Sequence, residues 1–406
     1  MQSSRIVELD GLRGFAALLV VVAHYFGEVP SGFHGLMVAW IGVGLFFVLS
    51  GFLIGSIILE RRDAPNFLVV FYARRTCRIL PIYMITLIAT AFALHLLSGE
   101  HWADDPLPLG LYFSFTQNLY MAWYGVTGSS WLLPTWTLAV EEQFYLFAPL
   151  AILLVPTRQL AKVLLVVLAT GPLVRLALLQ TPELSTLGPL VLLPSRWDML
   201  ICGVLAAHLL RSGRLNAGHA DYWLRVLPLI SLVALLLLVL IDPTKNLFTI
   251  SGPLVLGIGG AAFILGVVRG VPEARRYRSP TLQFFGTISY GLYLIHQPIS
   301  GLLHGLLLDG RPDIATIPQV AVTLLALAVS ILLAWASWRL VEKRVLQLGR
   351  QWSYSSPLQP SPLRVSRQAA VRLPRAGEGG AEIRGLVEQR GIEPLTSALR
   401  TPRSPN

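Results

Sequence analysis

The chain reads as an all-α, polytopic integral membrane protein with about ten transmembrane helices. Three observations carry this. Apolar residues make up 54% of its 406 residues and charged residues 13%, about half the charge of a typical soluble domain. The apolar residues fall into runs close to the roughly 20 needed to cross a bilayer, at about 11–28, 36–59, 80–98, 140–156, 160–180, 190–210, 226–241, 250–268, 283–307 and 316–340. The charge in the connecting segments alternates. One set holds Arg5; Arg61, Arg62, Arg74, Arg75 and Arg78; Arg158 and Lys162; Arg211 and Arg214; Arg269, Arg275, Arg276 and Arg278; and Lys343 with Arg344. The other set holds Glu28; Glu100, Asp104 and Asp105; Glu183; Asp242 with Lys245; and Asp309, Arg311 and Asp313. By the positive-inside rule both termini are cytoplasmic and 99–139 is the main outer loop. The net charge of +10 is therefore a matter of topology, not a nucleic-acid stripe.

The first span, LDGLRGFAALLVVVAHYF (Leu9–Phe26), has no signal-peptide cleavage pattern and is read as a retained helix. Arg13 and His24 are eleven residues apart. At about 100° and 1.5 Å per residue they share a face to within roughly 20° and stand roughly 16 Å apart along it. An ionisable residue inside a membrane helix is costly and marks a functional site by default.

Following each span in its direction places His24, Glu141, Glu142, Arg175, Arg196, Asp198 and His296 in the outer half, with Ser50 the contribution of the second span. Apolar helices gain nothing from burying these groups unless they pair or line a wet cavity. Pairs such as Arg196 with Asp198, or Arg175 with a glutamate, are the structural alternative to an outward-facing polar cavity. At the inner side, YARRTCRILPIY puts Arg74, Arg75 and Arg78 directly before the third span. Arg75 and Arg78 are neighbours on a helical face, and so dense a set of guanidinium forks suits phosphate.

The loop 99–139 is rich in Trp and Tyr and fits either an interfacial aromatic belt or a lid facing a sugar. Gly257-x-Gly259-x-x-Ala262 has dinucleotide-site spacing but lies inside a span, so it reads as helix packing. His304-x-x-x-x-Asp309 falls at an outer span end and is set aside. Cys77 and Cys202 have no metal-ligand spacing and imply no disulfide framework. No metal site is expected. Residues 346–406, rich in Pro, Arg, Gly and Ser, are expected to be a disordered cytoplasmic tail. Their ending, GIEPLTSALRTPRSPN, is similar to an extension that recurs on unrelated reading frames.

Seven blocks in order resemble the membrane acyltransferase-3 family, integral-membrane O-acyltransferases of cell-surface carbohydrates. They are LDGLRGFAALLVVVAHY, GLFFVLSGFLI, YARRTCRILPIY, TWTLAVEEQFYLFAP, SRWDMLICGVLAA, ISYGLYLIHQPI and WRLVEK. The resemblance implies a transmembrane acyltransferase domain over 1–345. Arg344 stands where the family often has proline, and 351–406 are too short for the hydrolase-like domain of some members.

The same resemblance implies a bacterial inner-membrane enzyme with no permanently bound cofactor. Its donor would be a cytoplasmic acyl-CoA, normally acetyl-CoA. Its acceptor would be a hydroxyl of a carbohydrate or glycolipid, with lipopolysaccharide, capsule, peptidoglycan precursors and exported antibiotics all open. Carried over by residue, Arg13 and His24 form the arginine–histidine pair, Arg75 and Arg78 with Arg74 bind the donor, and Glu141 and Glu142 are the paired glutamates, Glu142 favoured. An imidazole can take the acceptor's proton or carry the acyl group, and a nearby carboxylate would steady its charged form. The roughly 16 Å between Arg13 and His24 then requires a tunnel or a covalent relay. A transporter or flippase of a lipid-linked sugar would also use ten spans and a polar midplane layer.

Overall fold

The architecture was obtained as a computed structural model, which describes residues 6–33, 41–181, 183–213, 218–242 and 244–355. Arg5, Arg214, the start of the second expected span and most of the expected tail lie outside the described residues. Among the described residues every regular element is helical.

The long helices follow the expected spans in order. They are α1 (Val7–Val22, continued by a π-turn Ala23–Gly27), α2 (Ile41–Arg61) and α3 (Phe67–Leu96). After the short α4 (Leu109–Phe113) and α5 (Gln117–Tyr124) come α6 (Thr135–Leu154) and α7 (Thr157–Leu179). The one-turn α8 (Gly188–Val191) leads into α9 (Leu193–Arg211), then α10 (Gly218–Ile241) and α11 (Asn246–Arg269). Last are α12 (Pro280–Leu308), α13 (Ile317–Ser337), a second π-turn (Trp338–Glu342) and α14 (Lys343–Gly349).

Nine helical stretches among the described residues are long and apolar enough to cross a membrane. The tenth expected span, α12, is long enough at 29 residues, but its Ser, Tyr, His and Gln residues make it less apolar. The reason is its position: Ile288, Leu292, His296, Ser300 and His304 are all buried on one face of it. The outer helices show the opposite pattern. Leu229, Val233, Leu236 and Leu240 of α10 are all more than half exposed, an apolar stripe that water does not tolerate and lipid does.

Two of the boundaries that differ from expectation bear on the site, and both move charge inward. Helix α3 starts at Phe67, not near 80, so Arg74, Arg75 and Arg78 lie two to three turns inside it. Helix α6 starts at Thr135, not 140, because the run PTWTL is already helical, so Glu141 lies nearly two turns in.

The glycines of the first motif have a packing reason. A methyl group at Gly14 would overlap the Leu282 carbonyl, and one at Gly286 the Asp10 carbonyl. Both positions therefore need glycine for α1 and α12 to lie backbone to backbone. That contact sets the register between Arg13, His24 and His296. The expected aromatic loop is partly structural: Trp102 and Trp131 are buried and stacked at 6.3 Å on α12, while Trp123 and Tyr124 stay exposed.

Candidate active site

A cavity lies between α1, α2, α3, α6 and α12. Three guanidinium groups line it, Arg13 from α1 and Arg75 and Arg78 from α3. One carboxylate, Glu141 of α6, faces them, with Ser50, Tyr145, Tyr290 and Tyr293 supplying hydroxyls and Val43, Phe46, Phe47 and Leu53 an apolar wall. The Ser50 hydroxyl donates to Glu141 Oε1 at 2.6 Å and the Tyr145 hydroxyl to Oε2 at 3.1 Å. Arg75 lies over the Tyr145 ring at 5.5 Å. Three cations against one carboxylate make the lining attractive to an anion, and the guanidinium fork matches phosphate oxygens.

The expected outer-depth layer does not form as one group. Glu141 sits with the arginines expected on the donor side because α6 begins earlier than expected. Glu142 is not among the lining residues, and its Oε1 is buried without a hydrogen-bond partner. Arg74 also lies apart from the lining: its Nε donates to the Trp352 carbonyl at 2.9 Å and its guanidinium covers Tyr354 at 5.1 Å.

His24 sits in the π-turn that ends α1, where the backbone N–H of Glu28 reaches the Ala23 carbonyl at 2.9 Å. Such turns re-aim side chains at functional sites. The carboxylate nearest His24 Nε2 is Glu28, at 3.6 Å, not either glutamate of α6. Sequence spacing hid this, since an i,i+4 partner at the end of a span reads as a loop charge. On the other side His24 Nδ1 meets His296 Nε2 at 2.7 Å, with the rings 13° from parallel. Sequence reasoning places His296 in the outer layer without a role; the structure sets it against His24. The Tyr25 hydroxyl donates to the His296 carbonyl at 2.7 Å and lies 3.1 Å from Ser330 Oγ, tying α1, α12 and α13 together at this point.

Arg175 is fully buried and pairs with Asp198 at 2.7 Å, while also donating to the carbonyls of Ser195 and Ile250. The expected Arg196–Asp198 pair does not form. Residues two apart point to opposite sides of a helix, and Arg196 instead donates to the Leu190 carbonyl and lies over Trp136. This network joins α7, α9 and α11 and is structural. Cys77 and Cys202 are free thiols. Glu100, His101 and Asp309 bring ligand atoms within 4.8 Å of one another, but all three are exposed.

Comparison with known proteins agrees with the geometry. A family model described as an acyltransferase domain matches residues 6–339. The chain is 28% identical over 369 residues to peptidoglycan O-acetyltransferase OatA of Listeria monocytogenes, covering 85% of this chain and 56% of that protein. It is 27% identical over 362 residues to Bacillus subtilis YrhL, named a "putative peptidoglycan O-acetyltransferase", covering 84% of this chain and 55% of that one. A Staphylococcus aureus protein named a "putative O-acetyltransferase" is 26% identical over 365 residues, covering 82% and 56%. The chain thus spans little more than half the length of these curated relatives. No solved structure matches.

Proposed function

Because this chain belongs to the acyltransferase-3 family and is a membrane O-acyltransferase, we propose that it moves an acetyl group from cytoplasmic acetyl-CoA to a hydroxyl of an exported carbohydrate. The observation that carries this reading is the single helix α1, which presents Arg13 to the cationic cavity and, through the π-turn that continues it, holds His24 between His296 and Glu28. The bias of Lys and Arg toward the Arg13 end supports placing that end in the cytoplasm. Donor phosphates would then meet Arg75 and Arg78, with Arg13 deeper along the cavity.

At the far end His24 acts as general base. Its Nε2 takes the proton of the acceptor hydroxyl as that oxygen attacks the acyl carbonyl. The carbon–oxygen bond forms, the carbon–sulfur bond of the thioester breaks, and the proton passes to the leaving thiolate. Glu28 steadies the imidazolium in between. The relatives named for peptidoglycan favour a peptidoglycan sugar as acceptor over lipopolysaccharide.

The test uses membranes holding the full chain, supplied with labelled acetyl-CoA and muropeptide-bearing cell-wall material. Label should enter the glycan as a base-labile ester with the wild-type chain and not with His24→Ala present at equal abundance. Transfer by His24→Ala at the wild-type rate removes His24 from the mechanism. Label that stays out of glycan with both chains removes this acceptor class.

A further inference from the structure

The hydrogen bonds around His24 fix where its proton sits. His296 Nδ1 lies 3.1 Å from the Leu292 carbonyl. A carbonyl accepts only, so Nδ1 of His296 carries the hydrogen and its Nε2 is left with a lone pair. That lone pair is 2.7 Å from His24 Nδ1, so the hydrogen of His24 belongs on Nδ1. The remaining ring nitrogen, His24 Nε2, is then the unprotonated one, with Glu28 at 3.6 Å. One carbonyl thereby sets the tautomer of two rings in sequence.

We propose that His296 is the positioning residue of the reaction, holding His24 in the tautomer whose unprotonated nitrogen is Nε2 and sharing the proton that His24 takes up. This rests on the reading of His24 as the base. When Nε2 accepts the acceptor's proton, the Nδ1 hydrogen of His24 moves toward His296 Nε2, and the charge spreads over both imidazoles. It moves back as the proton leaves for the thiolate, so nothing is consumed. Two rings this close cannot both be charged, so the pair takes up one additional proton at a time.

The surroundings are built to keep this geometry. His296 is fully buried and His24 is 8% exposed. The residue after His24 also ties the two helices, since Tyr25 donates to the His296 carbonyl itself. Among the described residues, titratable groups facing the pair include Glu28 from the turn after α1, Tyr25 from α1's extension, and Tyr293 of α12, whose ring is 5.9 Å from that of His296. From α13 the facing group is the Ser330 hydroxyl. A packing residue at 296 needs shape alone, whereas this chain of donors needs an imidazole or another acceptor at that atom.

The experiment is nitrogen NMR of the full chain in lipid bilayers with 15N-labelled histidine, the His24 signals identified by their loss in His24→Ala. The expected result is a protonated Nδ1 and an unprotonated Nε2 for His24, changing to a mixture of tautomers in His296→Phe. Acetyl transfer should fall about tenfold or more in His296→Phe through kcat, with KM for acetyl-CoA unchanged. His296→Gln, whose amide oxygen can accept from His24 Nδ1, should recover most of it and should shift the acid limb of the pH profile. A protonated Nε2 on wild-type His24 overturns the proposal, as does an unshifted limb and wild-type kcat in both variants. The wild-type spectrum and the Gln variant decide the matter even if the Phe variant does not fold. Full activity in His24→Ala would instead remove the reading of His24 as base, whatever the tautomer.

Discussion

Ser50 Oγ donates to Glu141 Oε1 at 2.6 Å, joining α2 to α6 in the wall of the cationic cavity. This bond orients the one carboxylate that shares the cavity with Arg13, Arg75 and Arg78. A hydrogen bond to a charged group contributes about 1.5–3 kcal/mol, so Ser50→Ala should lower acetyl transfer by roughly tenfold or more, while Ser50→Thr keeps the donor and most of the rate. Glu141→Gln should be more damaging than Glu142→Gln, whose carboxylate lies outside the lining. Rates per molecule of enzyme in washed membranes check the order, and a Glu142→Gln variant worse than Glu141→Gln would reverse it.

The three clustered arginines of α3 should separate in donor kinetics. Arg75 and Arg78 line the cavity, whereas Arg74 is turned to Trp352 and Tyr354. Arg75→Ala and Arg78→Ala should each raise KM for acetyl-CoA about tenfold, the worth of one charge-assisted hydrogen bond. Arg74→Ala should change it much less. Equal effects from all three would mean that the cluster acts only as a diffuse positive field.

Arg175 and Asp198 are both fully buried and bonded at 2.7 Å. Removing one partner of such a pair leaves an uncompensated charge and costs about 3–5 kcal/mol. Asp198→Ala should therefore lower the melting temperature of the detergent-solubilised chain and its abundance in membranes. Arg175→Met combined with Asp198→Leu should recover much of both, because neither charge then remains buried alone.

Much of this was legible in the chain because a bilayer restricts the options. Runs of apolar residues locate spans, and buried charge marks sites, so the succession of long helices and the neighbouring pair Arg75 and Arg78 could be read in advance, whereas their meeting with Arg13 in one cavity could not. Depth was less legible. Helix α3 extends past its expected run because the apolar stretch Phe67–Tyr72 is helical and continuous with it through Arg74–Arg78, and α6 because Thr135–Ala139 is already helical. Glu141 was consequently assigned to the wrong group of partners. Partnerships across helices were not legible at all. Nothing in the spacing says that residue 24 meets residue 296, or that Arg175 reaches Asp198 and not a glutamate, since those distances depend on where glycine lets two backbones approach.

Asp242, in the turn between α10 and α11, accepts from the Thr244 hydroxyl and from the backbone N–H groups of Leu247 and Thr244. The side-chain bond from Thr244 first, and then those backbone donors, hold its carboxyl below the ordinary carboxylate range. A group whose folded-state pKa is lowered stabilises fully above its unfolded value, near 4, and the effect is lost as pH falls through the folded value. Thermal unfolding in detergent should show Asp242→Asn slightly less stable than wild type at pH 7. The two should converge as the pH approaches 3.

Tyr293 stands between the two halves of the site. It lines the cavity, its ring is 5.9 Å from that of His296, and its hydroxyl donates to the Pro134 carbonyl at 3.1 Å while sharing a hydrogen bond with Thr137 at 2.7 Å. Neither His24 nor His296 is among the residues lining the cavity, so an acyl group leaving the arginines meets this ring before it meets an imidazole. Substitutions at 293 should therefore act in opposite senses. Tyr293→Trp overfills the wall and should lower transfer to glycan without raising KM for acetyl-CoA. Tyr293→Ala opens the partition to water and should release coenzyme A without an acceptor, because exclusion of water is what prevents hydrolysis of a reactive acyl group. Thiol release measured with and without acceptor distinguishes the two. If Tyr293→Ala neither hydrolyses the donor nor alters transfer, the acyl group reaches His24 by a route that does not pass this tyrosine.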